Sequence, residues 1–169
     1  MTTPSPTGRL ETRDGELVLV LTRRFTAPIE DVWAAVTESD RLARWIGRWE
    51  GDPTTGSVQF WMLFEEGHTG DAVEIRRCDR PHALHVTAHQ GDEVWRLDLD
   101  LEHADGVTTL TFTQPGVTAA TAPDVGPGWE YYLDRLVDAQ AGDDPGGRDF
   151  FRDYHPAMTA YYRAQLGRP

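Results

Sequence analysis

The 169-residue chain carries 16 basic against 28 acidic side chains, a net charge of −12, so a nucleic-acid backbone or an anionic membrane surface would repel it. Every basic residue is arginine and asparagine is absent, which excludes Schiff-base catalysis, a P-loop lysine and an N-glycosylation sequon. Cys78 is the single cysteine, which rules out an internal disulfide and any multi-cysteine zinc or iron–sulfur centre, in a chain of one domain's length.

Residues 1–15 are polar and read as a flexible N-terminal lead-in with no signal-peptide core. No apolar stretch approaches the roughly 18 residues needed to span a bilayer, and a lone thiol suits a reducing interior, so the expected location is cytoplasmic. Glu16 to Phe25 (ELVLVLTRRF) reads as a strand that Ala27-Pro28 ends. Ile29, Val32, Trp33 and Val36 then recur at helical spacing, with Pro28 suited to the first turn and Glu30 and Asp31 placed for the helix dipole. A second short helix is predicted from Asp40 to Ile46, with Asp40 as N-cap and Gly47 as its stop.

The middle is predicted as strands. Val58 to Phe64 (VQFWMLF) is apolar on both faces, and Asp71 to Cys78 and Ala83 to His89 flank the turn-like Asp79-Arg80-Pro81. Glu93 to His103 and Val107 to Gln114 flank the hairpin signal Asp105-Gly106. Alternation is strongest where Trp95, Leu97, Leu99 and Leu101 point one way and Arg96, Asp98, Asp100 and Glu102 the other. An antiparallel meander of about five or six strands is the economical reading. After the Pro/Gly-rich stretch from Pro115 to Gly128, a long helix is predicted from Trp129 to Ala141, its apolar stripe formed by Trp129, Tyr132, Leu133, Leu136 and Val137. A linker at Asp143 to Gly147 leads to an aromatic helical extension over 143–169, apolar enough to dock. The predicted class is α+β.

The run from Arg24 to Ala35 (RFTAPIEDVWAA) resembles the opening signature of START-like, helix-grip proteins of the SRPBCC superfamily. It is most similar to the branch named for the activator of heat-shock protein 90 ATPase. The short helix with Trp45, the strand Val107 to Gln114 and the helix opening Gly128 to Leu136 are similar to later landmarks of that branch, in the same order. The resemblance covers Leu17 to about Gly142, giving a domain over 16–142. It implies a curved antiparallel sheet wrapped around a long C-terminal helix, with two short helices after the first strand and a cavity between sheet and helix. The resemblance implies seven strands. It also implies three classes of function: binding of lipids or other apolar small molecules, polyketide cyclase or dehydratase chemistry, and regulation of a chaperone ATPase.

The aromatic content fits such a cavity. Trp33, Trp45, Phe60, Met62 and Phe64 would converge on Trp95, Phe112, Trp129 and Tyr132, with Val73, Val86, Leu97, Leu133 and Leu136 completing apolar walls. The same residues would serve equally as a filled core. A metal is not expected. On a strand, His85 and His89 stand about 13 Å apart, with His82 off their face, too far to share an ion. No serine lies in a nucleophile elbow, and Cys78 at a strand end reads as inert despite nearby arginines. Glu66 and His68, in the loop Glu65-Glu66-Gly67-His68, and Tyr132 of the long helix are the candidate acid–base groups, although loop carboxylates are usually solvated charge. The expectation is therefore a binder of a small apolar or aromatic molecule, without cofactor, nucleic acid or membrane partner. A cyclase-type enzyme and a chaperone partner are the alternatives. The aromatic extension would either cap its own domain or, exchanged with a neighbour, build a homodimer.

Overall fold

A computed structural model describes residues 3–167. Its sheet has eight strands, all paired antiparallel in the order β1-β2-β8-β7-β6-β5-β4-β3. They are β1 (Arg9–Arg13), β2 (Glu16–Phe25), β3 (Gly47–Glu50), β4 (Ser57–Met62), β5 (Asp71–Asp79), β6 (Ala83–Gln90), β7 (Glu93–Ala104) and β8 (Val107–Pro115). The helices are α1 (Ile29–Thr37) and α2 (Ser39–Leu42) after β2, then α3 (Ala122–Ala141), α4 (Phe150–Asp153) and α5 (Thr159–Leu166). The core lies between the sheet and α3. Leu19, Leu21, Leu101, Leu110 and Phe112 meet Leu133 and Leu136 there, beside Val32 and Trp33 of α1. This is the expected α+β helix-grip arrangement.

Several elements differ from the sequence reading, each for a local reason. Arg9–Arg13, expected within a frayed lead-in, pairs with β2 from Arg9↔Val20 to Arg13↔Glu16. Its composition carries no strand pattern because little of it is buried; pairing alone holds it. The second helix spans Ser39–Leu42 with Glu38, not Asp40, preceding it, and Trp45 lies in the following turn. The four residues of β3 are too few to show a period. Strand β4 ends at Met62, leaving Leu63 and Phe64 in a connecting loop. The total of eight strands exceeds both the five or six read from the pattern and the seven implied by the resemblance.

Helix α3 begins at Ala122 rather than Trp129. Pro123 costs nothing in the first turn, where backbone N–H groups have no helical partner. Pro127 sits inside the helix, and burial of Ala122, Pro123, Gly126 and Pro127 offsets the backbone bond it cannot make. Gly142, at φ 80°, ends the helix in the left-handed conformation that glycine adopts without strain.

The C-terminal segment docks on its own chain. Helix α5 packs on α3 and beside β1, burying Tyr154, Met158 and Tyr162. The Tyr162 ring lies so close to Gly126 that a Cβ there would come within 2.6 Å of it. Tyr162 Oη donates to the fully buried Glu130, which also accepts from the Thr7 and Gly8 backbone N–H groups and from Arg23 Nη2 at 2.8 Å. Helix α3 is thereby tied to the start and the end of the described chain at one carboxylate. Among the described residues no helix is long and apolar enough to cross a membrane.

Candidate functional site

Alternation builds a cavity on the inner face of the sheet. Because every second residue of a strand faces the same way, the register sets side chains in rows across neighbouring strands. Val58, Val73, Ala88 and Trp95 form one row, Ile75, Val86 and Leu97 the next, and Leu84, Leu99 and Phe112 a third. These rows face Trp129 and Leu133 of α3, while Trp33 and Val36 of α1, Leu42 of α2 and the turn residues Trp45 and Ile46 close one side. Together they line a cavity of about 450 Å³ with predominantly apolar walls. Five of the chain's six tryptophans line it: Trp33, Trp45, Trp49, Trp95 and Trp129. Rigid indoles meeting across a curved sheet leave space that smaller flexible side chains would fill.

The polar groups gather at one end, under the loop of residues 63–70 that joins β4 to β5. Glu65, His68, Asp71 and Gln90 line the cavity there. The His68 side chain is 8% exposed; its Nδ1 accepts from the Met62 backbone N–H at 2.9 Å, and its Nε2 lies 2.8 Å from Asp71 Oδ2. A ring nitrogen that accepts from an amide carries no proton, so His68 is the Nε2–H tautomer donating to Asp71. Nitrogen-15 spectra of His68 should therefore show a protonated Nε2 and a bare Nδ1; a proton on Nδ1 would contradict the arrangement.

Two contacts clip this loop to α3. Tyr132 Oη donates to Glu65 Oε1 at 2.8 Å, and the Arg135 guanidinium lies over the Phe64 ring at 3.9 Å. Burial, followed by the Glu65 charge, pushes the Tyr132 phenol far above its ordinary range, so it remains a donor. Arg135 is itself buried and turns its donors onto the Trp45 and Pro145 carbonyls. At the other end of the cavity lie Cys78, near the end of β5, and Arg80 just past it, both exposed.

Of the residues read from sequence as cavity walls, Trp33, Trp45, Phe60, Met62, Val73 and Val86 line the cavity. So do Trp95, Leu97, Phe112, Trp129 and Leu133. Phe64, Tyr132 and Leu136 do not. Phe64 has left the strand and lies half-exposed on Arg135, Tyr132 spends its hydroxyl on the loop, and Leu136 is wholly enclosed by core. Among the acid–base candidates, Glu66 is exposed and lines only a shallow outer hollow, while His68 faces the cavity. Sequence reasoning missed Trp49, Ile75, Leu84, Leu99, Glu65 and Asp71 as lining residues. Leu99 continues the alternation of Trp95 and Leu97, which was a usable signal; Asp71 carried none.

The histidines do not meet. His85 lies 2.9 Å from Asp100, His89 3.3 Å from Glu74, and His82 approaches the Leu101 carbonyl. No group of three or more potential metal ligands occurs among the described residues.

A family described as activator of Hsp90 ATPase homolog 1-like protein matches residues 26–140. No curated protein matches the sequence. Among solved structures, the crystal structure of CalU16 from Micromonospora echinospora superposes with a TM-score of 0.76 at 22% identity, covering 97% of this chain and 98% of that one. The solution structure of the protein encoded by gene BPP1335 of Bordetella parapertussis gives 0.69 at 22% identity, covering 100% and 96%. DynU16, a protein of the dynemicin biosynthetic locus, gives 0.65 at 23% identity, covering 76% of this chain and 49% of that one. At these identities the likeness is one of fold.

Proposed function

The chain belongs to the activator of Hsp90 ATPase homolog 1-like family, and from that premise we propose that it binds a small apolar or aromatic molecule in the cavity between sheet and α3. The observation that carries this reading is the cavity of about 450 Å³, within the roughly 300–1,000 Å³ of small-molecule sites. Its walls are predominantly apolar and Glu65, His68, Asp71 and Gln90 sit together at the loop end, the usual division between surface that supplies affinity and groups that orient the ligand. The position of those groups at one end supports binding rather than acid–base chemistry, since Tyr132 holds its proton and His68 is engaged on both ring nitrogens.

Uptake of Nile red, a neutral dye that brightens in apolar surroundings, tests the reading. Ala88 is the small member of its row, between Val73 and Trp95. An Ala88→Trp substitution should fill the cavity and weaken dye uptake at least about tenfold while leaving the circular dichroism spectrum unchanged. Equal uptake by wild type and variant would place the dye elsewhere and remove support for the cavity as the binding site.

A further inference from the structure

We infer that the cavity selects a cationic amphiphile, an apolar or aromatic body whose ammonium group lies at the loop end against Glu65 and Asp71. The inference rests on the binding reading above and comes from a count of donors and acceptors facing the cavity. Of the five cavity-lining indoles, four have N–H groups already committed, that of Trp33 on α1 being the exception. Trp45 donates to the Ala35 carbonyl, Trp49 to the Thr37 carbonyl, Trp95 to Glu93 and Trp129 to Gln114. Near the loop Tyr132 Oη is spent on Glu65 and His68 Nε2–H on Asp71, which leaves the Gln90 amide as the uncommitted side-chain donor lining that end.

What faces the ligand at that end is therefore two carboxylates and one neutral amide. Each carboxylate has one oxygen engaged, Glu65 Oε1 and Asp71 Oδ2, and the other oxygen of each is without a partner among the described residues. Neither forms an ion pair with an arginine there. The neighbouring cation, Arg135, lies beneath Phe64 with Nε on the Trp45 carbonyl and Nη1 on the Pro145 carbonyl and Tyr131 Oη, and does not line the cavity. Arg80, the cation that does line it, lies past the far end of β5. A carboxylate or phosphate at the loop end would meet two negative charges with only the neutral Gln90 amide to donate to it. An ammonium would meet charge and acceptors at once.

Displacement of Nile red by three decyl compounds below their micelle concentrations tests the inference: decylamine (protonated at neutral pH), decanol and decanoate. Decylamine should bind about fivefold or more tighter than decanol, a modest preference because Glu65 is exposed, and decanoate should bind most weakly. The double substitution Glu65→Gln, Asp71→Asn should abolish the preference for the amine over decanol, read as a ratio within the variant while its circular dichroism spectrum stays that of the parent. A ratio taken within one protein separates local recognition from a change in overall affinity and from attraction to the chain's overall negative charge. Equal affinities for amine and alcohol, tighter binding of decanoate, or an amine preference that survives in the double variant would overturn the inference while the binding reading stands. Failure of both Nile red and decanol to bind would instead remove the binding reading and this inference with it.

Discussion

Removal of residues 143–169 is expected to leave a chain that no longer folds cooperatively at physiological temperature. The segment buries Tyr154, Met158 and Tyr162 to between 0 and 2% exposure against the rest of the chain. Losing one large buried side chain typically costs about 3–5 kcal/mol, and a domain has only about 5–15 kcal/mol in total. The loss extends beyond apolar area. Tyr162 leaves the backbone-tight notch formed by Gly8 and Gly126, and Glu130 loses its shortest hydrogen bond. Arg148, which pairs with Asp138 at 2.5 Å and Asp134 at 3.5 Å, leaves both carboxylates on α3 without it. Thermal denaturation followed by circular dichroism measures the outcome. A truncated chain that melts sharply at the parent temperature would mean that α4 and α5 add little to the fold, and would turn attention to a role for the extension in binding a second copy.

Replacement of Glu130 by glutamine is the second large effect. Glu130 is fully buried, yet it stays ionised: burial pushes its carboxyl up, and hydrogen bonds from Tyr162, Gly8, Arg23 and Thr7 more than reverse that, leaving it below the ordinary glutamate value. Glutamine keeps the shape but presents an amide nitrogen that cannot accept from these donors, and it strips Arg23 of one of two carboxylates. Asp134 remains 3.0 Å from Arg23, so the expected cost is about 3 kcal/mol, the lower end for breaking a buried pair. At this chain length that lowers Tm by roughly 6–12 °C.

The pH dependence of the Glu130 effect has a definite sign. Because the folded carboxyl titrates below the unfolded one, its stabilisation is complete above the unfolded value of about 4.3 and is lost as pH falls through the lower folded value. The stability gap between wild type and E130Q should therefore be widest at neutral pH and close in acid. A gap that is constant from neutral to acid pH would show that the glutamate's charge contributes nothing and that only its shape matters.

The legible parts of the fold are those where a single local rule acts alone. Strand β7 could be read because one face is wet and the other dry, so its period of two survives in the sequence. The Pro28 start of α1 could be read because proline fixes its own backbone angle and suits the opening turn of a helix. The same rule misled at the start of α3. Pro123, Gly126 and Pro127 argue against a helix when taken singly, and only burial of that turn against the core overrides them. Strand β1 was hidden for a related reason: its pairing is satisfied by backbone groups that every sequence possesses.

In the candidate site the division follows sequence separation. The apolar walls were largely legible, since alternating positions on neighbouring strands must share a face whatever their partners. The polar end was not. It depends on where β4 ends, which puts Phe64 on Arg135 and Glu65 on Tyr132, contacts that join a loop to a helix far along the chain. The buried carboxylate of Glu130 was equally silent, because its partners Thr7, Arg23 and Tyr162 are dispersed over nearly the whole chain. By itself, then, the sequence determined the class of fold, the inner face of the sheet and an apolar cavity wall, because periodicity and turn chemistry are local. Only the tertiary structure decided which oxygens meet which donors, because hydrogen bonds between distant residues have direction and distance but leave no period behind.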